Sequence, residues 1–147
     1  MNPDFSDILS ALSAEGAEFL VVGAYALAAH AVPRATADID LWVGTAGENP
    51  ARVRRALIKF GAPVEQLSED DLRRPGLVFQ IGLAPHRIDL LTSIDGVDFA
   101  DAWPARFETD LGGLRVPVLS REHLIQNKRA SGRPQDLADV ARLDQPS

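Results

Sequence analysis

Two aspartates, Asp38 and Asp40, stand one residue apart in the run Ala37-Asp38-Ile39-Asp40-Leu41-Trp42-Val43. Ile39, Leu41 and Val43 alternate with them, which is the period of a half-buried strand. On such a strand both carboxylates leave the same face, and they repel unless a proton or a cation lies between them. A divalent metal ion is one answer. The chain has no cysteine and no paired histidines, so an all-oxygen ligand set favours Mg2+ or Mn2+ over zinc. The other answer is an open sheet face on which water solvates both groups, since a bare Asp-x-Asp is a common sequence. A third aspartate, Asp89, lies in Arg87-Ile88-Asp89-Leu90-Leu91, again between apolar residues. If its strand lies beside the first, three carboxylates share a face. Such a set can hold two cations about 3.5–4 Å apart, activating a hydroxyl and neutralising a phosphoryl group.

Upstream, the apolar run Phe19-Leu20-Val21-Val22 ends at Gly23 and opens into the small-residue stretch Ala24-Tyr25-Ala26-Leu27-Ala28-Ala29. A glycine at a strand-to-helix turn lets a phosphate approach the backbone, and the helix start adds amide donors. Glycine also serves simply to make a tight turn. Several other residues carry two readings. Arg34 either covers a helix end or meets an anion, and Thr36 either stabilises a turn or touches substrate. Lys128 either reaches off a core face or binds phosphate. Asp136 and Asp139 share a helix side, with Arg133 or Lys128 as default partners, and Tyr25 caps the core or stacks on a base. His30, His86 and His123 form no ligand set.

The elements that must position these groups follow from periodicity. Phe5, Ile8, Leu9 and Leu12 predict an amphipathic helix over 4–14, stopped by Gly16. Strands are expected over 18–22 and 37–43 around a helix at 23–30, which Val32-Pro33-Arg34-Ala35-Thr36 breaks. Asn49 reads as an N-cap with Pro50 at the first helical position, and Val53, Ala56, Leu57 and Phe60 form the buried face of a helix ending at Gly61. Residues 63–75 are irregular, with one turn at 69–73. Strands over 77–83 and 87–92 form a hairpin through Ala84-Pro85-His86. Asp98 caps a short helix over 99–103, and strands at 106–110 and 114–118 flank the turn Leu111-Gly112-Gly113. Ser120 caps a helix that Gly132-Arg133-Pro134 separates from a last one over 135–143. The interspersed order predicts an α/β (α+β) fold, a mixed β-sheet with flanking helices. A single domain is expected over 1–147, with a sheet core over 1–118 and C-terminal helices over 119–147.

The formal net charge of −6 argues against an extensive nucleic-acid footprint, although it permits a local basic patch. No apolar run approaches the roughly 20 residues that cross a bilayer, so no membrane partner is expected. The start Met1-Asn2-Pro3-Asp4 lacks the basic segment of a signal peptide, and the lack of cysteine fits a cytoplasmic setting.

Val22-Gly23-Ala24, followed after 13 residues by Asp38-Ile39-Asp40-Leu41 and later by Ile88-Asp89-Leu90, resembles the nucleotidyltransferase superfamily typified by DNA polymerase beta. Gly23-Ala24-Tyr25-Ala26, Arg34-x-Thr36-x-Asp38-x-Asp40 and the later Lys128, Gly132-Arg133-Pro134, Asp136-Leu137 and Asp139-Val140 resemble its small bacterial branch of toxin-type, abortive-infection nucleotidyltransferases. The resemblance implies a minimal nucleotidyltransferase fold and transfer of a nucleoside monophosphate from a nucleoside triphosphate to a hydroxyl, with Mg2+ or Mn2+. It implies that Asp38 and Asp40 hold metal and that Asp89 holds metal or deprotonates the acceptor. Gly23 and Ala24 would border the phosphates, with Arg34, Thr36 and Lys128 contacting phosphate or substrate. The position after Gly23 is usually Gly or Ser; Ala24 keeps the backbone amide and lacks the hydroxyl. The implied acceptor is a tRNA end or other RNA, a protein hydroxyl, an antibiotic or another small molecule, in a toxin–antitoxin or phage-defence setting with a cognate partner. The competing expectation is a non-catalytic module of the same fold that binds nucleotide or a partner.

Overall fold

In a computed structural model of the chain, residues 1–83 and 85–145 are described. Six helices and six strands alternate as α1 (Pro3–Ala14), β1 (Phe19–Val22), α2 (Gly23–Ala29), β2 (Ile39–Val43), α3 (Asn49–Phe60), β3 (Val78–Ile81), β4 (Ile88–Leu91), α4 (Phe99–Ala102), β5 (Phe107–Leu111), β6 (Leu114–Val118), α5 (Arg121–Ser131) and α6 (Pro134–Leu143), with a 3-10 turn at Asp71–Arg73. The strands form one mixed sheet in the order β3-β4-β2-β1-β6-β5. β2 runs antiparallel to β1 and parallel to β4, while the β3–β4 and β5–β6 pairs are the two expected antiparallel hairpins. The first hairpin's expected turn includes Ala84, which lies outside the described residues.

The helical periodicity read from the sequence is the buried face that the fold uses. Phe5, Ile8, Leu9 and Leu12 of α1 are at most 1% exposed, and α1 packs on α3. At roughly 1.5–3 kcal/mol per fully buried apolar side chain, this one helix face contributes substantially to the core. On β2, Ile39, Leu41 and Val43 are fully buried. Asp40 and Trp42 alternate with them and share the opposite face. That face is covered at Trp42, which is 1% exposed, with Phe99 of α4 set edge-on against it at 5.0 Å. Tyr25 packs edge-on against Phe5, the core role rather than base stacking.

Two caps differ from expectation. Asp98 precedes α4 with extended backbone but makes no capping bond with its side chain. Asn49 is the first residue of α3, and the N-cap position falls on Glu48. The Asn49 side chain instead accepts from Glu18 N at 2.7 Å and donates to Glu18 O at 2.9 Å and Gly44 O at 2.7 Å. It is 5% exposed and stitches the start of β1 to the end of β2. The partner at Glu18 is remote in sequence, so a local pattern finds only the cap. Replacing Asn49 with Ala takes the side-chain partner from Glu18 N–H and Gly44 O, while Glu18 O keeps the bond from Gly44 N, and is expected to cost about 2–3 kcal/mol. Thermal denaturation should read this as a drop of roughly 5–10 °C; a drop under about 1 °C would contradict the account. Ser120 caps α5 as expected, accepting from His123 N at 3.2 Å.

Candidate active site

The sheet register assembles the aspartates. In the β1–β2 ladder Asp40 is opposite Val22, the residue before Gly23, and in the β2–β4 ladder Asp40 is opposite Asp89. Asp40 therefore has the strand-to-helix turn on one side and a second carboxylate on the other. Gly23 has φ +68°, and a Cβ built on it would overlap the Asp40 Oδ2 atom. The glycine thus serves both as a turn and as the only residue that leaves room for this carboxylate beside the backbone. Asp38 precedes β2, and Thr36 fixes its backbone: the Thr36 hydroxyl accepts from Asp38 N and donates to Asp38 O, both at 3.1 Å. Thr36 acts here as the turn residue.

Burial, the negative charges of Asp89 and Asp38, and a hydrogen bond with Asp89 push the Asp40 carboxyl from an ordinary 3.8 up to about 6. The nearby guanidinium of Arg87 opposes the shift. Arg87 is the residue that the sequence reading passed over. Its Nε donates to Asp89 Oδ1 at 2.8 Å and its Nη2 to Asp89 Oδ2 at 3.2 Å. Its backbone N–H donates to Asp38 Oδ1 at 2.9 Å, and its Nη2 stands 3.6 Å from Asp38 Oδ2. The hydrogen bond to Asp89, reinforced by that residue's charge, raises the Arg87 pKa further above its already high value. The signal was available: Arg87 lies two positions before Asp89, the spacing that pairs Asp38 with Asp40.

Asp38, Asp40 and Asp89 are brought into one cluster, as the sequence suggested, but not into a finished cage. Among the described residues no three His, Cys, Asp or Glu side chains are arranged to hold a metal ion. The arginine fork takes both oxygens of Asp89. The donor set nevertheless suits a hard divalent cation, being all carboxylate, and the Asp40 carboxyl, raised first by burial and then by the charges of Asp89 and Asp38, stands where a cation would offset those charges.

Arg34 and Lys128 form a neighbouring group. With Arg133, Pro134, Gln135, Asp136 and Asp139 they line a pocket of about 260 Å³. Asp136 and Asp139 are 1% and 2% exposed. Arg34 pairs with Asp139 Oδ1, and Lys128 Nζ lies 3.4 Å from Asp136 Oδ1 and 3.3 Å from Asp139 Oδ2. The latter approach lacks hydrogen-bond alignment, so Asp139 Oδ2 is buried without a hydrogen-bond partner. Arg133 donates to Asp136 from its Nε at 2.7 Å, and this bond leads the interactions that hold the Asp136 carboxyl below its ordinary range. Asp136 thus takes its default partners, Arg133 and Lys128, whereas Asp139 takes Lys128 and also Arg34, which was not among the expected partners. Among the described residues no hydrogen bond or ion pair joins Arg34 or Lys128 to Asp38, Asp40 or Asp89.

No protein-family model matches the sequence, and no curated protein matches it by sequence. Solved structures match the fold. A Thermotoga maritima protein provisionally assigned as a nucleotidyltransferase superposes with a TM-score of 0.63 at 18% identity, over 94% of this chain and 88% of that one. The lincosamide antibiotic adenylyltransferase LnuA, solved with lincomycin, gives 0.60 at 15% identity over 100% and 98%. ANT(2″)-Ia, solved with adenylyl-2″-tobramycin, gives 0.59 at 18% identity over 95% and 84%. No helix among the described residues is long and apolar enough to cross a membrane. With its mixed six-stranded sheet and flanking helices, the chain has the nucleotidyltransferase fold.

Proposed function

We propose that the protein is a nucleotidyltransferase that moves a nucleoside monophosphate from a nucleoside triphosphate to a hydroxyl group. One observation carries this reading: in this fold, Asp40 stands level with Asp89 on adjacent parallel strands, and Gly23 is packed against the Asp40 carboxylate. Asp38 and Asp40 would hold Mg2+ or Mn2+, with Asp89 joining them or accepting the proton of the attacking hydroxyl. The metal would supply charge neutralisation at the phosphates. The acceptor oxygen would attack the α-phosphorus as its bond to the bridging oxygen breaks, releasing pyrophosphate. The protein contributes mainly position and fixed charge. Gly23 and Ala24 border the phosphates through their backbone. Arg34 and Lys128, held by buried carboxylates, would contact phosphate or the rest of the substrate.

Two of the structural neighbours handle antibiotics, so ATP with a small polyhydroxylated acceptor is the first pair to test, followed by RNA ends and protein hydroxyls. A toxin–antitoxin or phage-defence role belongs with the latter two acceptors. The second reading, a nucleotide- or partner-binding module without turnover, is favoured by the occupation of both Asp89 oxygens by Arg87 and by the missing hydroxyl at Ala24. Incubation with each α-labelled nucleoside triphosphate, Mg2+ or Mn2+ and the candidate acceptors separates the two. Label transfer with pyrophosphate release, lost in Asp38→Ala, supports the enzyme. Nucleotide binding without label transfer or pyrophosphate release under any pairing supports the module.

A further inference from the structure

A single side chain neutralises two members of the aspartate cluster. Arg87 grips Asp89 through two nitrogens, and the Nη2 that reaches Asp89 Oδ2 at 3.2 Å also stands 3.6 Å from Asp38 Oδ2. The Asp89 side chain is only 12% exposed, so without a counter-charge its ionised form would be costly. The Arg87 side chain is 33% exposed and belongs to the residue before β4, so it can turn outward without disturbing the β2–β4 ladder. A bound divalent ion and this guanidinium compete for the same oxygens.

We propose that Arg87 is a resident counter-ion of the site, which holds Asp38 and Asp89 together in the unloaded protein and must be displaced from Asp89 when a divalent ion loads. The inference rests on the reading of Asp38, Asp40 and Asp89 as a metal site. Each metal-binding event then gives up the arginine–aspartate pair, so Arg87 sets the concentration of divalent ion at which the site fills. A purely structural ion pair has the opposite signature, because its loss would loosen the ligands and weaken binding.

The test measures Mn2+ binding to the full chain, without nucleotide, from the paramagnetic resonance of the free ion. Thermal melts in EDTA and in Mn2+ accompany it. Arg87→Gln is expected to bind Mn2+ about tenfold more tightly than the wild type, a typical size for coupling between two competing groups. It should melt lower in EDTA and regain that loss in Mn2+. Arg87→Lys, which keeps the charge without the fork, should lie between. Equal or weaker Mn2+ affinity in Arg87→Gln overturns the proposal. If Arg87→Gln folds in neither condition, Arg87→Lys decides: tighter binding than wild type supports the proposal, and anything else overturns it. Asp40→Asn separates the two layers of argument. Wild-type Mn2+ binding that persists unchanged in Asp40→Asn overturns the metal-site reading and this inference with it. Binding lost in Asp40→Asn but not tightened in Arg87→Gln overturns the counter-ion alone.

Discussion

Asp40→Asn is expected to abolish nucleotidyl transfer while making the metal-free protein more stable at neutral pH. Loss of a metal-holding carboxylate removes several kcal/mol of transition-state stabilisation, so activity should fall by about 1000-fold or more. The stability effect follows from the raised carboxyl. Asp40 titrates near 6 in the fold, against an ordinary 3.8. The folded state therefore holds this proton more tightly than the unfolded chain does. Its contribution is fully present below about pH 4, declines as pH rises through about 6, and above that ionised Asp40 is a constant penalty. Discounted for the partial exposure of the group, the penalty is about 1–2 kcal/mol. Asn is neutral at every pH and keeps a donor for Asp89. In EDTA the melting temperature of Asp40→Asn should match wild type near pH 4 and exceed it by roughly 3–6 °C at pH 8. A variant that melts lower at pH 8, or that retains transfer within tenfold of wild type, would sink the assignment.

Gly23→Ala should come close to this loss of activity by a different route. The added Cβ overlaps Asp40 Oδ2, so the carboxylate must move. The φ of +68° adds strain of about 1–2 kcal/mol for any L side chain. A direct control exists. Gly16 has the same φ of +68°, with nothing within 4 Å of a Cβ placed there. Gly16→Ala should therefore cost only the strain and leave transfer within about twofold, while Gly23→Ala loses about 100-fold or more in transfer and in Mn2+ affinity. Equal behaviour of the two variants in both assays would show that the contact with Asp40 is immaterial.

Local pattern carried much of this structure because local rules generate it. The α1 face, the Asp38–Asp40 alternation, the Ser120 cap and both hairpins each depend on residues close in sequence. What stayed hidden depends on partners brought in from a distance. Asn49 was read as a helix cap because its strand partner at Glu18 is not a neighbour in sequence. The level register of Asp40 and Asp89 required the parallel β2–β4 pairing, which periodicity cannot give. Trp42 shares the Asp40 face of β2, and its burial against Phe99 of α4 is a contact that alternation does not disclose. The two readings of Arg34 and Lys128 turned on Asp136 and Asp139, whose burial no pattern of charges discloses.

The pairing of Arg34 with Asp139 has a mechanical consequence. The two residues are 105 positions apart, yet Arg34 stands four residues before Asp38 on the segment that feeds it into β2. The alignment of Asp38 is thus referenced to the last helix as well as to the β2 strand that follows it. The C-terminal helices act as a tie-rod: a shift or tilt of α6 pulls on the lead-in to the aspartate strand, through a bond anchored on the buried carboxylate of Asp139.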